Sequence, residues 1–175
     1  MKLATLSHIP WPENNLDPQT LMENACAEVV LAENLGFDSA WFAEHHFSRY
    51  GLGSSSLMVL SHIAAITKTI ELGTAVLLPT LHNPIKLAED TATLDVLSQG
   101  RLNVGFGRGT EGYEYHGYMV DWEESQSRFR EVIQIVKDLW TQTDFEYDGE
   151  FHKIPKTNLV PKPLQSPHPS VFIAA

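Results

Sequence analysis

Three ionisable side chains stand in a row at Glu44-His45-His46, between the small and apolar run Ala40–Ala43 and Phe47. A carboxylate beside two imidazoles can take and return protons near neutral pH, where an imidazole titrates without a large shift. The residues leading into them, after the turn signal Gly36, read as a buried strand over Ser39–His45. Burying such groups unpaired is expensive, so the strand must end here and open into a cleft. Side chains alternate along a strand, which sends Glu44 and His46 one way and His45 the other. Two other readings stand beside proton transfer. The histidines can be satisfied by the backbone in a purely structural role. They can also bind a metal with help from His82, His116 or His152, although no spacing among these matches a metal signature.

Two further segments carry chemistry. In Gly73-Thr74-Ala75-Val76-Leu77-Leu78-Pro79 the small residues at 73–75 would let a flat ring approach the backbone closely. The same run reads equally as a strand packed between helices. In Gly105-Phe106-Gly107-Arg108-Gly109 a glycine-rich turn after a strand suits a phosphate, and Arg108 would be its permanently charged, bidentate partner. The dinucleotide fingerprint would require a glycine where Thr110 stands and would follow the first strand, so a Rossmann assignment is weak. Arg128, near the start of a helix, can turn toward the same mouth or pair along its own helix with Glu124 or Glu131.

The elements that would position these groups alternate. Strands are expected at Lys2–His8, Ser39–His45, Ile70–Leu78, Arg101–Phe106 and Ser170–Ala175. Helices fall between them: from Asp17-Pro18 to Gly36, Ser55–Thr67, from Asn83-Pro84 to Ser98, and Glu123–Thr143. In the last, Phe129, Val132, Ile133, Val136, Leu139 and Trp140 share one face. Successive strands start about 30 residues apart, the span of a strand–helix unit in a parallel sheet. Residues 144–168 break the rhythm with Gly149 and several prolines and read as an excursion or hairpin. The pattern is α/β, parallel strands alternating with helices, and amounts to the N-terminal half of a (β/α)8 TIM barrel, a fold of about 250 residues. Residues 1–175 are expected to form a single domain, truncated after its fifth strand, or completed by a second chain, or an open sheet that never closes. Two copies would hide the open edges, so a homo-oligomer, dimer or larger, is expected.

Lys and Arg number 12 against 22 Asp and Glu, a formal net charge of −10. Such a surface repels phosphate backbones, which argues against nucleic acid. No apolar stretch approaches the roughly 20 residues of a membrane helix. The first residues are broken too early by Pro10 and Pro12 to form a signal peptide, and the lone Cys26 allows no internal disulfide. A cytoplasmic setting is expected.

In order and spacing, Trp41–Phe47, Gly73–Pro79, Asn83–Asp90, Leu97–Arg101, Gly107-Arg108-Gly109 and Ser127-Arg128 resemble the bacterial luciferase-like family of flavin-dependent monooxygenases over essentially the whole chain. The resemblance implies a TIM barrel that binds FMN at the carboxyl-end mouth. It implies His45 as the catalytic base, with Glu44 beside it in the flavin site. It further implies Ala75-Val76 as a dipeptide joined by a non-proline cis bond next to the flavin ring, Gly107 facing the ring, and Arg108 and Arg128 as phosphate partners; no metal is implied. Gly107 stands where the luciferases carry a cysteine, which speaks against light emission but not against oxygen chemistry. The family's remaining phosphate ligands would follow the fifth strand, past Ala175. The implied activity is oxygenation of a small organic substrate by O2, with reduced FMN delivered as a diffusible cofactor by a separate flavin reductase. Two alternatives stand beside it: a relative using the deazaflavin F420 for hydride transfer, and a non-catalytic half-barrel subunit.

Overall fold

The computed structural model describes residues 1–12 and 16–174. Ala175, where the fifth strand of the sequence reading ends, lies outside them. The chain opens with β1 (Ala4–Ser7), α1 (Pro18–Asn34), β2 (Ser39–Phe42), α2 (Ser56–Ile66), β3 (Glu71–Thr74), α3 (Pro84–Leu97) and β4 (Leu102–Phe106). It continues through α4 (Gly112–Gly117), α5 (Ser125–Thr141), β5 (Phe145–Asp148), β6 (Lys153–Thr157) and β7 (Ser170–Ile173). Local chemistry sets the boundaries. Asp17 caps α1 by accepting the Thr20 amide at 2.9 Å, Pro18 fills the first turn, and Gly36, at φ +80°, turns the chain out of the helix. Asn83 caps α3 in the same way, accepting from Ile85 and Lys86 ahead of Pro84.

β1, β2, β3, β4 and β7 form one parallel sheet in that order, as the alternation of strands and helices required. The excursion is an antiparallel hairpin of β5 and β6. Its turn is held by the Glu131 carboxylate, which accepts the amides of Glu150 at 2.9 Å and His152 at 2.7 Å. Gln165, further along, returns the chain to the sheet by donating to Asp95 at 2.6 Å and to the Leu102 carbonyl at 2.7 Å. α4 is a short helix that the sequence reading left within the glycine-rich loop. No helix among the described residues is long and apolar enough to cross a membrane.

The two faces of the sheet differ. One carries Ala40, Phe42, Leu72, Leu102, Val104 and Phe106, all buried against Val29 of α1, Leu60 and Ile63 of α2, Ala88 and Ala92 of α3, and Val132 and Val136 of α5. Side chains one residue out of step face the other way: Leu6, Trp41, Gly73, Gly105 and Phe172. Leu6 and Phe172 keep 58% and 50% of their surface there. Arg101 locks the far ends of the elements together, donating to the carbonyls of Ala64, Ile70 and Ser98 and to the Thr67 hydroxyl.

On that second face the indole of Trp41 lies flat against Gly73, and meets Phe172 edge-on with centroids 5.2 Å apart. The flat ring for which Gly73 makes room is therefore the chain's own. A Cβ at 73 would fall 2.2 Å from Trp41 Cε3, so the indole would have to move. Gly73→Ala is expected to destabilise the chain by about 1–3 kcal/mol, as overpacking does. Urea unfolding followed by tryptophan fluorescence measures it, and an unchanged midpoint would show that Trp41 is free to move.

Candidate functional site

The strand ends build a small-residue layer. One step beyond Trp41, Gly73, Gly105 and Phe172 on the same face come Ala43, Ala75, Gly107 and Ala174, and all four line one cavity. Its volume is about 310 Å³, at the lower end of the roughly 300–1,000 Å³ usual for small-molecule sites. Val76 and Leu78 add apolar wall; His45, Arg108, Glu111 and Glu114 add polar groups. The void has a simple origin: the rim carries only methyls and hydrogens, while the layer beneath is filled by Trp41 and Phe172.

The Ala75–Val76 peptide is cis, as the resemblance implied, and both residues line the cavity. Gly107 faces Val76 so closely that a Cβ there would sit 2.3 Å from Val76 Cγ2. A cysteine at 107 would meet the same atom, so glycine here is matched to valine at 76. Arg108 lies on the rim with its guanidinium 4.6 Å from the Trp122 ring and one nitrogen 3.1 Å from Ser125 Oγ. Its backbone carbonyl accepts from the Tyr115 hydroxyl, which also shares a hydrogen bond with Thr80 at 2.9 Å. These contacts pre-set the arginine's direction and leave donors for a ligand.

His45 sits at the edge of the cavity with Nδ1 3.4 Å from Glu114 Oε1. A carboxylate can only accept, so Nδ1 carries the proton of that pair. Nε2 is then the ring nitrogen with no hydrogen bond among the described residues. Glu114 is 1% exposed and also accepts the amide of His46 at 2.8 Å, so one carboxylate fixes both the main chain and the ring of the histidine pair. The sequence reading did not single out Glu114. Its signal was an acid framed by Tyr113 and Tyr115 between two glycines, the pattern of a short packed helix rather than of an open loop. His8 stacks on His45, centroids 5.5 Å apart, and the edge of Tyr50 closes on both rings. Burial, and then the neighbouring His45, push the His8 imidazole below its ordinary value.

Two expected cofactor residues lie elsewhere. Glu44 is 2% exposed and stands behind the cavity wall. Its Oε1 accepts from His46 Nε2 at 2.8 Å and His82 Nε2 at 2.7 Å, and its Oε2 from the Leu78 amide at 3.2 Å. Burial by itself would raise its pKa, but the hydrogen bonds and charges of His46 and His82 hold it below the usual carboxylate range. Arg128 is bound 2.6 Å from Glu124, one turn back on the same helix, and stacks 4.4 Å over Phe151. It takes the helix-pairing alternative and lies outside the cavity lining. His82, weighed only as a metal ligand, instead serves Glu44. His152 serves Glu131 and His116 is exposed on α4. Among the described residues no cluster of three or more such side chains could hold a metal ion.

Gly107→Cys is expected to cost about 1–3 kcal/mol of stability. Adding Val76→Ala to it should restore most of the loss, because the crowding atom is gone. A urea-unfolding double-mutant cycle measures the coupling; simple additivity would mean that the two sites do not touch.

Comparison with known proteins falls on the same segments. The model of the luciferase-like monooxygenase family matches residues 5–175. The oxygenase component of a flavin-dependent trigonelline monooxygenase from Acinetobacter baylyi is 32% identical over the whole of this chain and 49% of its own length. An F420-dependent glucose-6-phosphate dehydrogenase from Amycolatopsis mediterranei is 33% identical over 90% of this chain and 48% of its own. Among solved structures, monooxygenase RslO1 from Streptomyces bottropensis superposes with a TM-score of 0.96 at 33% identity, over all of this chain and 54% of that one. The chain spans about half the length of the curated relatives it matches.

Proposed function

Since the chain belongs to the luciferase-like monooxygenase family, we propose that its cavity takes the ring of a reduced flavin mononucleotide and that the protein oxygenates a small organic substrate with O2. One observation carries this reading: His45, Ala75–Val76 and Gly107–Arg108, far apart in sequence, line one cavity at the carboxyl ends of the strands. Sites in parallel α/β sheets are built at that end. The small layer of Ala43, Ala75, Gly107 and Ala174 gives a flat ring a platform without side chains in its way, and the rim arginine gives a phosphate its partner. The reduced flavin arrives from a separate reductase, in keeping with a relative that is the oxygenase component of its system. The protein works in the cytoplasm as a homo-oligomer.

A bound reduced flavin would supply two electrons and activate dioxygen. The residues of this chain do the remainder. Leu78 and Val76 would help exclude water from the cavity. Glu114 holds the His45 ring with Nδ1 protonated, which leaves Nε2 to accept a proton at the rim and return it. Arg108, braced by Trp122 and Ser125, holds the phosphate.

A second reading, hydride transfer with the deazaflavin F420 and no oxygen consumed, is favoured by the likeness to an F420-dependent dehydrogenase. Incubation with each reduced cofactor under 18O-labelled O2 separates the two, since only the first puts label from O2 into the organic product.

His45→Ala is expected to lower oxygenation by about 10²–10⁴-fold while FMN affinity stays within a few-fold. Equal loss of both would make His45 a structural histidine. Arg108→Ala should weaken FMN binding by about 1.5–3 kcal/mol and leave riboflavin, which has no phosphate, unaffected. Fluorescence titration of the two flavins reads the difference.

A further inference from the structure

Behind the cavity wall lies a charged group that the chemistry above does not use. Glu44 is wholly inside the protein, yet its carboxylate stays ionised because three donors from three segments converge on it. His46 comes from its own strand end and is held in turn by Tyr118, just past the end of α4, whose hydroxyl lies 3.1 Å from His46 Nδ1. The Leu78 amide comes from the segment after the cis peptide. His82 comes from the turn before α3 and is the one member of the set that reaches water, with 31% of its side chain exposed.

We propose that Glu44 is a positioning residue: clamped by His82 and His46, it holds the Leu78 amide and so sets the cavity wall, and the protonation of His82 determines how firmly it does so. Leu78 and Val76 both line the cavity, and Leu77 between them bridges to Phe106 of β4. The stretch from Val76 to Leu78 is thus pinned to β4 on one side and to the Glu44 carboxylate on the other. When His82 carries its proton, the buried carboxylate has a full counter-charge at 2.7 Å. When that proton leaves, the buried carboxylate keeps His46 and the Leu78 amide but loses that counter-charge. The structure then relaxes by turning Glu44 toward water, and the Leu78 amide loses its acceptor.

The sign follows from the neighbours of His82. Burial opposes its charge, but the hydrogen bond and charge of Glu44, helped by Asp90 of α3, raise its pKa above the ordinary imidazole value. Asp90 is itself paired with Lys86, so Glu44 is the dominant partner. Glu114 of α4 and Tyr118, which follows that helix, face Glu44 from the other side; burial and the charges of Glu44 and Glu114 push the Tyr118 hydroxyl above its ordinary value. A group whose folded pKa is raised gives its full contribution at low pH and loses it as pH climbs through that raised value. The wall is therefore firm below the titration of His82 and loosens above it. On the acid side it holds until pH falls through the lowered pKa of Glu44.

This inference rests on the reading of the cavity as a flavin site, but its first measurement does not. In the full chain, NMR follows the His82 titration and the exchange protection of the Leu78 amide, corrected for the intrinsic rate. Protection is expected to fall by about tenfold as His82 loses its proton. In His82→Gln, which keeps a donor but cannot titrate, protection should be independent of pH over that interval. Leu78 protection that ignores the His82 titration, or that keeps the same pH dependence in His82→Gln, overturns the proposal. Glu44→Gln is the second variant, and should abolish both the raised pKa of His82 and the pH dependence. FMN affinity, read by fluorescence across the same interval, should weaken in step with Leu78 protection. A chain that binds no FMN at any pH would refute the flavin reading, while Leu78 exchange alone would still decide this one.

Discussion

A strand sends its side chains alternately to two faces, and nearly everything at the mouth of this sheet follows from that period of two. Because β2, β3, β4 and β7 run parallel, the side chains at 43, 75, 107 and 174 form one layer around the cavity, and those at 41, 73, 105 and 172 stand one step below them on the same face of their strands. Small residues in the first, and Trp41 and Phe172 in the second, leave a hollow with a solid base. A slip of one residue in any strand would put apolar core side chains into that hollow and leave polar or missing side chains against the helices. The register that buries the core is therefore also the register that makes the cavity.

The same period divides the labour in Glu44-His45-His46. His45 points to the cavity; Glu44 and His46 point behind it and bind each other. Three adjacent ionisable residues thus serve two purposes, one at the surface of the site and one in its support. Glu114 joins them, since it accepts from the backbone of one histidine and stands against the ring of the other. The supporting carboxylates are the most buried acids near the site, which is where a misplaced charge would be most costly.

Much of this was legible in the sequence because it is written in local chemistry. The caps at Asp17 and Asn83, the stop at Gly36 and the strand-to-helix alternation are set by neighbours along the chain, and the elements fall where those signals put them. Strand ends were shorter than their apolar runs, because pairing stops where the backbone turns into the mouth: β2 ends at Phe42 although the run continues to Ala43. What escaped was set by contacts across the fold. Gly73 has room for a flat ring or reads as part of a packed strand, and the ring against it belongs to Trp41, its direct partner on the neighbouring strand. The partners of Glu44 and Arg128 were likewise set across the fold or along the helix: His82 and Glu124 pair with them in this structure. His82 lies 38 residues from Glu44, and nothing near either one announces the pairing.

The Glu44 cluster also limits how such a chain can drift. Exchange of His82 alone would take one of two imidazole partners from a buried acid, and exchange of Glu44 alone would leave His46 and His82 without their common acceptor, each a loss of about 3–5 kcal/mol. The side chains at 44, 46 and 82 therefore depend on one another energetically. Replacing all three together with a set of matching apolar volume would avoid the loss that each single exchange brings.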